Sequence, residues 1–322
     1  MRYKYITSSG EDAFATSFDE AGWFDAYGFA HVKDEGQSLY INPQGKVTLQ
    51  SKYETMFDEW GLGLIHVNNG DDIWTNKYGI MEANGNLLVP IKYDDLGYRG
   101  CGLFCAVLKK IALCLDSSGR PLFELKGFQL LDDNEFRDNR LLVGRRSKAY
   151  FVNTKGEVVH GPYWSAQMYS ETLAYVKFCE ESKPIFVDVN GNTAMTLEQY
   201  DSVSEYWGDG VLSVQYKSKF GLINTAGQYV LEPIYDSISS IWNGYFTATR
   251  RSLRFIINNA GVIKFQIPNE IASLRYAEEN VVTYEKDGKW GYMNLITGAF
   301  ITKPIYEEAG PMRCGRAPVA VL

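Results

Sequence analysis

Histidine is scarce in this chain of 322 residues: His31, His66 and His160 are all it holds. A histidine-based catalytic or metal site therefore has few members to draw on. His31 and His66 fall in one column of the repeat described below, but no third ligand accompanies them, and they read as exposed strand residues rather than a metal pair. Gly-x-Ser-x-Gly elbows, phosphate-cradling glycine loops and zinc-protease pairs are missing. The five cysteines are an odd count without a Cys-x-x-Cys pair, which fits free thiols in a reducing compartment. Cys101, Cys105 and Cys114 cluster in one copy of the repeat and read as apolar core thiols. No apolar run approaches the roughly 18 residues of a membrane span. The opening Met-Arg-Tyr-Lys-Tyr-Ile-Thr lacks the apolar stretch of a secretory signal. The expectation is a cytoplasmic protein with no membrane partner. The net charge of −7 comes from scattered residues. With no basic patch to neutralise phosphates, nucleic acid is not an expected partner, and Arg145-Arg146 and Arg250-Arg251 read as solvated loop charges.

What is plentiful is aromatic. Twenty-two tyrosines and seventeen phenylalanines favour strands over helices. They recur in a phrase: an apolar run, Asn or Asp, two residues, then Gly. The copies are Asn42 to Gly45, Glu82 to Gly85, Asp116 to Gly119, Asn153 to Gly156, Asp188 to Gly191, Asn224 to Gly227 and Asn258 to Gly261, with a looser Thr7 to Gly10 and a longer Asn294 to Gly298. From Gly10 on, the glycine-to-glycine steps are 35, 40, 34, 37, 35, 36, 34 and 37 residues, a period that marks a repeat protein. Because it is unbroken, residues 1–322 read as a single array, with partial units at 1–20 and 310–322.

Aligned on the turn glycine, each unit shows three strand signals. The first is a run such as Gly63-Leu-Ile-His-Val67. The second precedes the turn, as in Lys77-Tyr-Gly-Ile-Met81, Lys219-Phe-Gly-Leu-Ile223 and Lys289-Trp-Gly-Tyr-Met293. The third follows the turn and closes on Pro, an aromatic and an acid, as in Tyr229-Val-Leu-Glu-Pro-Ile-Tyr235-Asp236. An Asn or Asp that bonds backbone amides, followed by a left-handed Gly, predicts a hairpin closed by a type I turn and a bulge. The same chemistry assigns Asp188-Val-Asn-Gly191 to a turn rather than a calcium loop. The mid-strand Gly79, Gly221 and Gly291 imply a backbone or ring packed directly over each, and bulky replacements there are expected to break packing between units.

Gly288 to Tyr306, with its Lys-Trp-Gly-Tyr, Asn, glycine turn, apolar pair, Pro and Tyr, resembles the bacterial WG-repeat family, and degenerate copies extend the likeness over the chain. The Trp-Gly pair itself stands only at Trp290-Gly291; it becomes Tyr78-Gly79 and Phe220-Gly221 elsewhere. The resemblance implies a β-repeat array with no recognised enzyme activity, in a family sometimes encoded beside secreted toxins.

The expected fold is all-β: nine tandem antiparallel hairpin or three-strand units of about 36 residues in a curved open solenoid. Nine units exceed the 4 to 8 blades usual in propellers, and three strands per unit fall short of a four-stranded blade. Pro311, Arg313, Arg316 and Pro318 also have the makeup of a blunted edge. The alternative is a closed, propeller-like ring completed by the N- and C-terminal strands, because the chain starts with the last strands of a unit and ends with a first strand.

No segment reads as a catalytic centre, a cofactor site or a metal site; paired carboxylates such as Asp94-Asp95 recur in turns or after the repeat tyrosine. The expected function is a non-enzymatic protein-binding scaffold, in its most specific form the neutralising (immunity) partner of a toxin. The alternative is a carbohydrate or small-ligand array that uses aromatic rings as platforms. Candidate contact residues lie where units depart from the pattern and combine aromatic with acidic residues: Asp58, Glu59 and Trp60; Asp71, Asp72 and Trp74; Asp132 and Asp133; Tyr206, Trp207 and Asp209. Their makeup suits a partner with a basic surface.

Overall fold

The side chain that begins each glycine turn also closes it. Asn224 Oδ1 accepts hydrogen bonds from the backbone N–H of Ala226 at 3.0 Å and of Gln228 at 2.9 Å, and Gly227 follows at φ +75°. Asp188 does the same with Asn190 and Asn192, both at 2.9 Å, so this segment is a hairpin turn as expected. In the computed structural model, every residue except 26, 51–52, 57–63, 70–75, 83, 132–134, 209 and 322 is described.

A second kind of turn joins the strand before this hairpin to it. Lys217-Ser218, Arg251-Ser252, Arg146-Ser147 and Lys109-Lys110 each place both residues at φ between 49° and 69°, as a two-residue type I′ turn requires. The acid after the repeat aromatic holds several of them. Asp94 Oδ2 accepts from the Lys109 N–H at 2.6 Å, Asp19 Oδ2 from Glu35 at 2.8 Å and Asp201 Oδ2 from Ser218 at 3.2 Å.

Turns this tight leave room in each period for a fourth strand, which the sequence reading did not count. Ser202–Gly208, Val211–Tyr216, Lys219–Asn224 and Tyr229–Tyr235 form one four-stranded antiparallel sheet in sequence order. The extra strand is the first, directly after the repeat acid. Among the described residues there are nine such small sheets, seven of four strands and two of three, and no helix. In the three-stranded sheet of Ser273–Glu278, Val281–Lys286 and Lys289–Asn294, the fourth place is taken by isolated bridges from Trp290 to Tyr306 and Met293 to Phe300.

The remaining sheet corrects the expected open solenoid. Arg2–Thr7 pairs antiparallel with Arg316–Val321 over six registered positions, from Arg2 opposite Val321 to Thr7 opposite Arg316. Glu308–Ala309 lies on the other side of Arg316–Val321. The two ends of the chain thus build one sheet, and the topology is the closed alternative, that of a nine-bladed β-propeller. Pro318, expected on a blunted edge, sits instead in the central strand of this sheet, opposite Tyr5.

The chain divides into two compact units, Met1–Leu88 with Ser237–Leu322, and Val89–Asp236. In each, the side-chain alternation of a strand assigns neighbouring residues to different cores. In the first unit, Val282 and Met293 join Ile256, Ile267 and Tyr284, whereas the adjacent Val281 and Tyr292 join Ile6, Tyr306 and Val319. In the second, Leu141 and Val152 pack with Cys105 and Leu125, whereas Leu142 and Phe151 pack with Tyr169 and Val187. In these two blades the central strands are therefore apolar on both faces, and the two faces are hidden by different neighbouring blades of the same unit.

Gly221 and Gly291 of the second strand signal are crowded as expected, but within a blade rather than between units. A Cβ on Gly221 lies 2.5 Å from the Leu231 carbonyl oxygen and 2.8 Å from the Pro233 nitrogen of the next strand of its own sheet; one on Gly291 lies 2.8 Å from the Tyr284 ring.

Candidate binding site

In the first unit, the strand Ser273–Glu278 breaks its own regularity. Arg275 is opposite Thr283, but the next paired residue is Glu278, opposite Val281, so one residue too many is held between them. Tyr276 absorbs the excess at φ +54°, a left-handed conformation that costs a non-glycine residue about 1 kcal/mol. Bulges of this kind re-aim a side chain, and strain of this kind persists where surrounding structure holds it. Here the Tyr276 ring comes to 6.3 Å from Trp23, tilted by 51°.

Trp23 is steadied from another side. The Arg313 guanidinium lies 5.5 Å from its ring centre and donates to both carboxylate oxygens of Glu278, at 2.6 and 2.8 Å. This two-pronged bond ties the bulged strand to the terminal blade and raises the Arg313 pKa. Arg275 is spread over Trp290 at 4.8 Å and stays exposed. Tyr3 donates to Glu308 Oε2 at 2.7 Å, and this bond, with some burial, pushes the phenol up to about 12.

Tyr3, Trp23, Arg275, Tyr276, Trp290 and Glu308, with Ala21, Ala309, Gly310 and Pro318, line a depression of about 360 Å³, while Arg313 and Glu278 brace Trp23 from outside it. Its wall carries two tryptophans, two tyrosines, one arginine and one glutamate from three blades. No group of three or more His, Cys, Asp or Glu able to hold a metal occurs among the described residues. The arrangement can stack a planar or apolar group and offer it one cationic donor and one carboxylate acceptor. It contains no nucleophile beside a base.

The second unit has a roomier hollow of about 690 Å³, lined by Gly127, Gln129, Arg145, Arg146 and Tyr150. Arg145 lies over Phe128 at 4.7 Å and Tyr150 at 5.1 Å, but both arginines are exposed, as solvated loop charges are. With a single aromatic in its wall it makes the poorer site.

Of the contact residues expected from sequence, Tyr206 and Trp207 fall among the described residues. Asp58, Glu59, Trp60, Asp71, Asp72, Trp74, Asp132, Asp133 and Asp209 lie outside the described residues. Tyr206 and Trp207 belong to the strand Ser202–Gly208, whose pairing shifts register between Val203 and Trp207, with Trp207 opposite Leu212, so the departure from the repeat that singled them out falls in a first strand.

The histidines also differ from expectation. His31 and His66 are 9% exposed, not surface residues. His31 lies 5.2 Å from the Tyr40 ring and His66 stacks on Tyr78 at 5.1 Å. His160, which no sequence motif marks, holds a polar cluster in the second unit. Tyr169 donates to the Asp188 carbonyl at 2.6 Å, so its oxygen accepts from His160 Nε2 at 2.7 Å; Nδ1, 2.9 Å from the Tyr163 hydroxyl, is then the acceptor. Both ring nitrogens are used by a neutral imidazole, and burial, then the nearby Arg140, lowers its pKa to about 4.

Comparison with known proteins agrees with this architecture. A solved structure described as the crystal structure of the eukaryotic initiation factor superposes with a TM-score of 0.61 at 12% identity, covering 93% of this chain and 94% of that one. That likeness is one of fold. Apo AztD from Citrobacter koseri is more distant, at a TM-score of 0.41 and 11% identity over 99% of this chain and 95% of that one. The family model described as WG containing repeat matches residues 220–249 and 290–321, so these two segments are WG-type repeats. No curated protein matches the chain.

Proposed function

We propose that this protein is a non-enzymatic scaffold that binds another protein, and that the depression between Trp23, Tyr276 and Trp290 is where the partner's anchoring side chain enters. The observation that carries the reading is the strained Tyr276 at the bulge, held against Trp23 beside an arginine already spread over Trp290. Trp, Tyr and Arg in a sheltered hollow are the residue types that dominate binding energy at protein interfaces. A fold shared with other propellers adds little, since one fold serves many functions. Bacterial origin, a cytoplasmic location and a toxin as the partner are finer parts of the proposal and rest on the sequence reading alone.

The test is capture of a partner from extract by the tagged protein, its identification by mass spectrometry, and its affinity for variants. Trp290→Ala and Arg275→Ala are each expected to weaken binding by about 30-fold, the mark of a hot spot. A partner bound with unchanged affinity by both variants contradicts the assignment of the site. A glycan that binds with no protein partner favours the ligand-array alternative.

A further inference from the structure

We propose that Cys105 and Cys114, free thiols under reducing conditions, are a disulfide site that closes when the chain folds in the presence of an oxidant of the low-molecular-weight disulfide class, such as glutathione disulfide. Their hairpin, Phe104–Leu108 with Ile111–Leu115, turns through Lys109 and Lys110, both at positive φ. In a two-residue turn of this kind the flanking pair, here Leu108 and Ile111, exchanges both backbone hydrogen bonds, and the two kinds of pair alternate from there. Cys105 and Cys114 stand opposite each other three steps on, at a non-hydrogen-bonded pair. That is the pair type whose Cα atoms come to about 4.5 Å and whose side chains approach most closely, within the range a disulfide spans.

The two sulfurs are 3.2 Å apart, both wholly buried, among Leu103, Ala112, Leu125, Leu141 and Val152. Small side-chain rotations bring them to the bond length of about 2.05 Å. Oxidation replaces two S–H groups in an apolar interior by an apolar bridge, so it leaves no polar group unsatisfied. The other three thiols have no such neighbour: Cys101 lies 3.5 Å from Asn139 Oδ1, Cys314 lies 3.5 Å from the Asp25 carbonyl, and Cys179 is exposed.

Burial decides when the exchange happens. In the folded, reduced protein the hydrogen bond to Cys114 and then burial hold the Cys105 thiol well above its ordinary value, so there is little thiolate and no path for a reagent. Before the neighbouring blade docks, one cysteine thiolate attacks the small disulfide, forming a mixed disulfide and releasing one glutathione thiolate. The second cysteine, deprotonated, attacks the protein sulfur of that bond and releases the second. Two protein thiols and one glutathione disulfide become one protein disulfide and two glutathiones, and docking then shields the bond from reductant.

The experiment uses the full chain with Cys101, Cys179 and Cys314 changed to Ser, all three being exposed positions. It is refolded from denaturant with glutathione disulfide or with dithiothreitol, and circular dichroism checks folding in each case. The expected oxidised product has no titratable thiol when unfolded again, is lighter than the reduced product by two hydrogens, and yields a peptide linking Cys105 to Cys114. Reduced protein that is already folded is expected to react at least about tenfold more slowly. Two free thiols, or glutathione adducts left unresolved after oxidative refolding, overturn the site; equal rates in the folded and refolding protein overturn its setting during folding.

Discussion

A single methyl group on Gly291 tests how the blades are packed. Its Cβ falls 2.8 Å from Tyr284 Cε1 and Cζ and 2.9 Å from the hydroxyl, where ordinary contact needs well over 3 Å. Tyr284 is 2% exposed and donates to the Thr302 carbonyl at 2.8 Å, so the ring cannot swing aside without leaving its core and its partner. Overpacking costs about 1–3 kcal/mol and the loosened hydrogen bond about 1 kcal/mol. Replacing a strand glycine returns about 0.5–1 kcal/mol. Gly291→Ala is thus expected to cost about 2 kcal/mol, read as a lower denaturation midpoint at unchanged slope. In a Tyr284→Ala background, itself costing about 3–5 kcal/mol by analogy with other large aromatics, the added methyl has room and the same change becomes neutral or stabilising. Gly221→Ala meets backbone atoms instead and is expected to be destabilising whatever side chains surround it. An equal cost of Gly291→Ala in both backgrounds, or none in the parent, refutes the reasoning.

Two further outcomes follow from the geometry. His31 and His160 both titrate in the folded chain near pH 4 rather than 6.5, because burial disfavours the charged ring. The unfolded chain therefore binds more protons between those values: stability is full above pH 6.5 and falls as pH drops toward 4. With discount for their partial exposure the two together account for about 2 kcal/mol. His160→Gln is expected to flatten part of the acid side of a melting-temperature profile, and an equally steep profile counts against the cluster. Asn224→Ala removes two turn hydrogen bonds and is expected to cost about 1–2 kcal/mol, with a midpoint shift as the readout; no shift means the Asn side chain does not hold the turn.

Turn chemistry was the most legible layer of this sequence. Asn224, Asp188 and their equivalents announced their hairpins because side chain, backbone and glycine must all agree over four residues. The first strand of each blade was obscure for a physical reason. Segments such as Ser237-Ile-Ser-Ser-Ile-Trp242 are short, mix small polar with apolar residues and follow the tyrosine and acid without a Gly or Pro to mark them, and their partner strand is reached through a turn with no consensus. Missing them made the period look too short for a four-stranded blade and favoured the open solenoid. The depression was harder still. Trp23 is about 250 residues from Tyr276 and Trp290 in sequence, and the bulge at Tyr276 has no signature in Ser-Leu-Arg-Tyr-Ala-Glu. The Trp290-Gly291 pair alone stands out in the sequence, and its glycine explains it without reference to the ring that Arg275 covers.

Whether the chain's two ends build one sheet is tested most directly by a cross-link between them. In a background with Cys101, Cys179 and Cys314 changed to Ser, cysteines are placed at Thr7 and Arg316, which face each other in the terminal sheet. Mild oxidation is expected to join them in high yield in the native protein and not after denaturation, with Thr7 and Arg313, out of register, as the control. Failure of the registered pair to cross-link, or equal yields for both pairs, contradicts closure by the terminal strands.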